Sequence, residues 1–566
     1  MAGVRRLEKP GMNVSHLVDK SELEKHVKFL SELERLSGEP EAEEAVTYII
    51  NQLKQYGVSY ERYQFDGYFS DPHYGEVLVN SQIPYTLRAK ARSFSRNCPN
   101  GISSKLVYDK SSDRKGESCI VDFKGKIVIS WNYLEDYVMQ IEKAGALGLI
   151  HIWPSEEEAI HEETVGTIWG TPTIENMDQL TKLPVVGVNY HDGIRLLEEL
   201  ANKEINITIK TGLKEGIKTV SLPVGTIKGE EEEFLLISSH YDSWHKGATD
   251  NAVGNALLLE LTRLFSICNS RLKRGIKFAW WPGHSNGRYA GSAWYCDHFW
   301  EDLNERCVAH INVDFPGSKG NEVIFPRSTS MEDKNLLEEI IKTYTGNKPE
   351  QLAYLPRGAD QSFWGPNIPI HIMFKYEPAS ENKIYQTPGD NWWWHTEEDL
   401  FDKVDFDLLV RDTKIHSSLV NNLSNCGVLP IRLDEFLSSS VDILEQIDSL
   451  SDKEFDFAPI YGSLEVLMSK VEKLHEKENH NEKRLNELLK KVSGTLNRLM
   501  FSYSSRYEYD NTFPFHPYPG LAKVKGVYHK NTTPEIFLFA CTYFVRQRNR
   551  FVQEVKGICR EIDLYI

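Results

Sequence analysis

The sequence predicts an α/β core covered by helices on both faces, a second α/β unit inserted into that core, and a C-terminal helical domain. Three observations lead there. Between Glu233 and Asp314, the strand-like runs Glu233-Phe-Leu-Leu-Ile-Ser238, Gly275-Ile-Lys-Phe-Ala-Trp-Trp281 and Cys307-Val-Ala-His-Ile-Asn-Val-Asp314 alternate with helical runs at Ala252 to Ile267 and from Gly291 onward. Near-continuous apolar strands spaced by helices belong to sheets buried on both faces, where ligands sit at the strand carboxyl ends. From about Asp66 to Gly216 the texture changes to short β-rich runs, Gly75 to Asn80, Gly125 to Ser130, Leu147 to Ile152 and Pro184 to Asn189, with helical runs at Tyr133 to Ala144 and His191 to Ala201. From about Pro430 the chain is helical and highly charged.

The opening fits the same plan. Leu23, Val27, Leu30 and Leu33, then Ala45, Ile49 and Leu53, fall at helical spacing on either side of Ser37-Gly-Glu-Pro40, which predicts two helices before a strand at Val58 to Phe65. The core is therefore read as residues 1–65 and 217–430, the insertion as 66–216, and the helical domain as 431–566. In the last of these, Leu464, Leu467, Val471 and Leu474 form one apolar stripe and Leu485, Leu488, Leu489, Val492 and Leu496 another. Together they exceed what a small domain needs for its own core, which predicts a partner. The charged run Glu476 to Arg484 between them reads as a solvated face or turn.

A chain of 566 residues is too long for one core, and a net charge of -17 argues against a nucleic-acid surface, which needs clustered Lys and Arg. A small molecule or a short peptide or amide is the expected substrate. No apolar run is long enough to span a bilayer, and Met1 to Lys20 has no continuous apolar segment, so the expectation is a cytoplasmic protein without a membrane partner. The eight cysteines are scattered and read as free, mostly buried thiols.

The chemistry concentrates in His240-Tyr-Asp242-Ser-Trp-His-Lys-Gly247-Ala-Thr-Asp250-Asn251, which follows one strand and opens a helix. A His at a strand end and an Asp at a helix start supply the nitrogen and oxygen donors that zinc prefers. Asp242 beside the imidazole suits an orienting role. Asp314 ends a later strand, and His395 stands in His395-Thr-Glu-Glu-Asp399 after Trp392-Trp-Trp394. Taken singly, such a His is ordinarily structural and such an Asp is a helix cap. Four of them in order, each in a fitting context, point to a preformed metal pocket.

This arrangement resembles metallopeptidase family 28, the zinc aminopeptidase and glutamate carboxypeptidase type. The loop Gly358-Ala-Asp360-Gln-Ser362-Phe363 is similar to one that the family carries before its last ligand. The resemblance implies a zinc-exopeptidase-like mixed sheet, with His240 and Asp314 on one metal, Asp250 bridging and His395 on the other. It implies a metal-dependent hydrolase of peptide or amide bonds in which a metal-activated water attacks the carbonyl. The insertion resembles the protease-associated domain. The stretch Leu496 to Phe501 with Phe513 to Gly520 resembles the helical dimerisation domain of glutamate carboxypeptidase and the transferrin receptor, implying a homodimer.

The chain departs from the family at one place. Where the family keeps two consecutive Glu residues after the strand ending at Trp281, this sequence has His284 and Ser285. A serine hydroxyl is a poor zinc ligand, so of one or two zinc ions the second is expected to be weakened. His284 has three readings: a general base, with an ordinary pKa near 6.5; a ligand that restores the second site; or a relic. Two other classes of function stay open, a binding or scaffold protein that has lost catalysis and a metal enzyme acting on a non-peptide C–N bond. Trp394, with Trp392, Trp393, Trp280 and Trp281, is either a substrate wall or buried core. Arg288, Arg357 and Lys375 are candidates for holding a substrate carboxylate or are plain surface residues.

Overall fold

The computed structural model describes residues 14–112, 122–132, 134–268, 272–329, 331–332, 334–349, 351–379, 387–477, 480–512 and 515–566. The expected opening is present as helices α1 (Lys20–Leu30) and α2 (Pro40–Gln55), the second starting at a proline whose missing N–H costs nothing at that position. The strand expected at Val58 to Phe65 and that at Gly75 to Asn80 are one strand, β1 (Ser59–Asn80), with Pro72 absorbed at a register shift between Pro72 and Tyr74.

The insertion then adds β2 (Tyr85–Ala91), β3 (Cys98–Tyr108), β4 (Ile127–Ser130), α3 (Glu135–Lys143), β5 (Gly148–Ile152), β6 (Val185–Val188) and α4 (Tyr190–Asn202). The return strand, β7 (Asn206–Ile227), runs antiparallel to β1 from Asn80↔Asn206 to Ser59↔Thr226. Its pairing with β3 and that of β1 with β2 close the strands of the insertion into a ring. The expected boundaries at 66 and 216 therefore fall inside a continuous two-stranded ribbon, where Asp66 pairs with Thr219 and Phe69 with Gly216.

The core continues with β8 (Phe234–His240), α5 (Val253–Cys268), β9 (Gly275–Trp281), α6 (Ala290–His298), α7 (Trp300–Arg306), β10 (Cys307–Asn312), β11 (Val323–Ser328), α8 (Lys334–Thr345), β12 (Ala353–Tyr354), β13 (Ile370–Glu377) and α9 (Phe406–Asn425). Strands β9, β8, β10 and β13 are mutually parallel, while β7 joins β9 and β11 joins β13 in the antiparallel sense. The sheet is mixed, and every residue of β8 and β10 is buried. Helices α2, α5 and α9 share one apolar cluster with one face of the sheet, and α6 and α7 share another with the opposite face. Trp280 lies in the first cluster and Trp281 in the second, both fully buried, as alternation along a strand requires. These two tryptophans are buried core.

The C-terminal region is helical: α10 (Leu433–Ser449), α11 (Ala458–Glu476), α12 (Glu482–Phe501), α13 (Pro519–Ala522) and α14 (Pro534–Tyr565). Both apolar stripes of α11 and α12 are buried within the chain against α14, which contributes Phe544, Phe551, Val555, Ile558 and Ile562. The stripes thus find their partner in the same chain, and the surplus expected of them lies instead on α14, where Ile536, Leu538, Phe539 and Val545 are exposed. Cys98, Cys296, Cys307, Cys426, Cys541 and Cys559 are unpaired thiols. Cys119, Tyr133, residues 1–13 and Phe513-Pro514 lie outside the described residues.

One residue of the α1–α2 connection holds the loop that follows β8. Arg35 is fully buried and donates to the carbonyls of Tyr241 (2.8 Å), Lys246 (2.7 Å), Gly247 (2.9 Å) and Leu33 (3.2 Å), and also to that of Leu30. Burial pulls its pKa down to about 10, and Asp399 and Asp242 oppose that pull. Nearby, Ser37 Oγ accepts from the Gly283 N–H at 2.7 Å, so the same connection braces the turn after β9. Replacing Arg35 by Ala strips several buried carbonyls of their donor at once. Arg35→Ala is expected to lower unfolding free energy on the order of 3–5 kcal/mol, and Arg35→Lys, which keeps the charge and loses the fork, by somewhat less. Urea midpoints of the two variants and the parent check this.

Candidate metal centre

Five side chains meet at the carboxyl ends of the parallel strands, where an α/β sheet places its ligands. His240 is the last residue of β8, His284 lies just beyond β9, and Asp314 follows β10. Asp250 lies in the irregular turn before α5, and the Asp250–Asn251 peptide is cis. His395 comes from the segment after β13 and has a left-handed backbone, φ 57°, uncommon for a non-glycine residue. The insertion holds it there. The Glu162 N–H donates to the His395 carbonyl at 2.8 Å, and His395 Nδ1 donates to the Glu162 carbonyl at 3.1 Å.

The Asp250 carboxylate links the two outer imidazoles, with Oδ1 at 3.1 Å from His240 Nε2 and Oδ2 at 2.9 Å from His395 Nε2. Asp314 Oδ1 is 3.4 Å from the same His240 nitrogen. His240, His284 and Asp314 each offer a donor atom, all within 4.8 Å of one another. The His240 and His284 rings stack at 3.8 Å.

Each imidazole is tied at Nδ1: His240 to the Asp242 carbonyl at 2.9 Å, His284 to Asp360 Oδ2 at 2.7 Å, His395 to the Glu162 carbonyl. A proton fixed at Nδ1 leaves Nε2 as the lone-pair donor, the outer-shell pattern of metal-binding histidines. His240 Nε2 and Asp314 Oδ1 are buried with no hydrogen-bond partner. Orphaned donor atoms of nitrogen and oxygen, converging in a buried site rich in carboxylates, fit a divalent cation.

The electrostatics agree. Burial opposes the charged form of His240, yet Asp242, Asp250 and Asp314 outweigh it and hold that imidazole well above its ordinary value. Burial pushes the Asp250 carboxyl up, and His240 and His395 more than reverse this, leaving it well below the usual carboxylate range. For His284, burial and the neighbouring His240 push downward, while Asp360 raises it above its ordinary value. Asp399 is pushed up to about 7 by burial, although it accepts from the Thr249 N–H (2.9 Å), the Thr249 hydroxyl (2.8 Å) and the Asp250 N–H (3.0 Å). Those bonds seat the turn that carries Asp250.

The sequence reading of four ligand positions therefore brings together residues that do meet. Asp242 needs correction: its backbone carbonyl, not its carboxylate, orients His240, the carboxylate lying 3.6 Å from Nδ1. That carboxylate instead accepts the His284 N–H at 3.0 and 3.3 Å, so Asp242 positions both histidines. Trp394 stacks on His395, ring centroids 3.5 Å apart, and lines the cavities in front of the site. Trp393 donates from Nε1 to the Thr249 hydroxyl at 3.2 Å.

Two adjoining cavities, of about 370 and 590 Å3, share His284, Tyr289, Trp394 and His395 on their walls. Arg288 and Arg357 line the second of these, but their charges are matched. Arg288 pairs with Glu135 and donates to the Gly166 carbonyl, tying the insertion to the core, and Arg357 pairs with Asp510 at 2.6 Å. Lys375 pairs with Glu377. All three are thus held by acidic partners, Arg288 and Arg357 on the cavity wall where a substrate carboxylate was expected of them. Sequence reasoning missed Arg35 and Glu162, because one acts through its fork and the other through its backbone.

Residues 224–420, which hold every one of the convergent side chains, match the model of the family described as Peptidase family M28. The family match is to this region of the chain, the part that carries the candidate centre. Over 291 residues it is 23% identical to leucine aminopeptidase 2 of Trichophyton equinum, covering 51% of this chain and 55% of that enzyme. The chain thus spans about half the length of that relative. Among solved structures, an aminopeptidase from Aneurinibacillus sp. strain AM-1 superposes with a TM-score of 0.55 at 24% identity, over 75% of this chain and 98% of that one. A zinc aminopeptidase from Bacillus subtilis gives 0.54 at 18% identity, over 72% and 96%. At these identities the structures establish the shared M28 fold.

Proposed function

We propose that this chain is a zinc-dependent hydrolase of the aminopeptidase type that cleaves a peptide or amide bond near the end of a short substrate, with His284 and Ser285 standing where the family has paired glutamates. The observation that carries this reading is the tethering of three imidazoles at Nδ1 around Asp250 and Asp314, with donor atoms left orphaned at the centre. The match of residues 224–420 to the M28 model and the zinc named for the Bacillus subtilis relative support it.

His240, Asp314, Asp250 and His395 would hold the cation. When bound, a divalent cation supplies Lewis acidity toward a carbonyl and lowers the pKa of water. The remaining work falls to the chain. His284, with Nδ1 donated to Asp360, presents Nε2 to accept a proton from an attacking water, and Asp360 stabilises the imidazolium so formed. Tyr289 and Trp394 line the cavity beside His284 and His395. A second role for His284 has its own support, since its donor atom lies within 4.8 Å of those of His240 and Asp314, as a third ligand would.

The ring of strands from 66 to 216 fits the protease-associated domain proposed from its sequence, and we assign the helices from 431 onward to dimerisation through the exposed apolar side of α14. Among the described residues no helix is long and apolar enough to cross a membrane. Cytoplasmic placement remains our reading of the scattered cysteines.

Purified without chelator, the protein is expected to carry zinc. Zinc added at 100 times its Kd to stripped protein should stabilise it by about 2.7 kcal/mol. His240→Ala and Asp250→Asn should abolish both effects, as read by elemental analysis and melting curves. Metal-free protein with an unmoved Tm would leave the scaffold reading standing.

His284→Ala decides between the two roles. As the base, its loss lowers kcat on aminoacyl amides by about 10²–10⁴-fold with metal content intact; as a ligand, its loss empties or weakens the site. Unchanged turnover and unchanged metal would dismiss both.

In light scattering the parent should have twice the chain mass of 65.1 kDa, and Leu538→Glu with Phe539→Glu should yield the monomer. A parent that is monomeric at micromolar concentration ends the dimer assignment.

A further inference from the structure

Around the two cavities one cation has no ion pair among the described residues, although the Glu377 carboxylate, itself paired with Lys375, acts on it through space. Arg327, the penultimate residue of β11, lies on the wall of both, and among the described residues its guanidinium makes no hydrogen bond or ion pair. Its Nε is buried and unpartnered. The neighbouring cations contrast with it, because Arg288, Arg357 and Lys375 are bound to Glu135, Asp510 and Glu377. Arg327 stands across the β11–β13 ladder from Met373, whose neighbours Phe374 and Lys375 also line the smaller cavity, so its place is fixed by the sheet and not by a loop.

Arg327 is partly buried with Nε out of water, and a guanidinium so placed without a hydrogen-bond partner is ordinarily met by a counter-charge. The planar fork suits a carboxylate bidentately. Both cavities reach His284 and His395, so an anion held by Arg327 belongs to the molecule whose reacting bond lies at the candidate centre.

We propose that Arg327 is a specificity-determining residue that binds a carboxylate of the substrate, selecting short substrates that carry a negative charge on the far side of the scissile bond. The carboxylate is either the C-terminal one of a short peptide or that of an acidic side chain. The inference rests on the hydrolase reading for its catalytic consequence, while the anion site itself does not.

The test uses leucyl-leucine, leucyl-leucinamide and leucyl-glutamic acid α-amide with the parent, Arg327→Met and Arg327→Gln. The expected result for both variants is a KM raised about 10–100-fold for substrates bearing a carboxylate, kcat little changed, and no effect on leucyl-leucinamide. Selective loss with leucyl-leucine assigns the C-terminal carboxylate, and selective loss with the glutamic acid amide assigns the side chain. Two folded variants that treat charged and uncharged substrates alike overturn the proposal while leaving the hydrolase reading intact. If the parent hydrolyses none of the three, calorimetric titration of metal-free protein with leucyl-leucine and leucyl-leucinamide decides. Binding of the first that both variants lose upholds the anion site, and equal binding by parent and variants removes it.

Discussion

The Asp250 carboxylate, buried between His240 and His395, is the contact on which the arrangement turns. One negative group removed from water draws two imidazoles toward it, and each imidazole is rooted in a different part of the chain: His240 in the sheet, His395 in a segment clasped by the insertion. A buried charge of this kind survives only when surrounded by partners and fixed dipoles. The partners arrive in layers. Asp399 orders the turn that carries Asp250, Arg35 fastens the carbonyls before it, and Asp242 and Asp360 steady His240 and His284. The fold thus supplies rigidity to a cluster that would otherwise repel itself, with Asp250 and Asp314 lining one cavity and Asp242 buried beside them.

The insertion is part of the centre rather than a lid resting over it. Glu162 bonds His395 in both directions, His161 Nε2 bonds the Trp392 carbonyl at 2.8 Å, and Arg288 reaches back to Gly166 and Glu135. Through these ties the left-handed conformation of His395, which has a cost for any side chain beyond glycine, is over-determined by its surroundings. The cavity walls are accordingly composite, with Trp394 and Tyr289 from the core, and Glu163 and Thr164 from the insertion.

Much of this was legible in the residues. The uniformly apolar runs ending at His240 and near Asp314 identified strands of a sheet covered on both faces, and their carboxyl ends located the donors. The strands β2, β3, β7, β11, β12 and β13 escaped notice. Charged and β-neutral residues interrupt β7, as in Asn206-Ile-Thr-Ile-Lys-Thr-Gly212, and its length depends on its partner β1, not on its own pattern. Arg35 escaped for a different reason: its partners are backbone carbonyls, those of Tyr241, Lys246 and Gly247 more than 200 residues away, and carbonyls have no letter in a sequence. The apolar stripes of α11 and α12 were seen correctly but given the wrong neighbour, since periodicity tells that a face is covered and not by what. Arg327 became informative only once the matched charges of Arg288, Arg357 and Lys375 were visible beside it.

The ribbon of β1 and β7 gives the molecule an unusual kind of seam. Two strands of 22 residues each form one ladder that begins in the sheet carrying the candidate centre and ends in the ring of the insertion. A cut at either nominal boundary would sever both strands in mid-ladder and expose two raw edges, each a template for wrong pairing. The two units are therefore expected to melt as one cooperative block and to resist exchange by recombination at that point. What composition marks as an inserted module is, in its hydrogen bonds, a single tapering sheet, and divergence within it has to proceed residue by residue instead of by replacement of the whole.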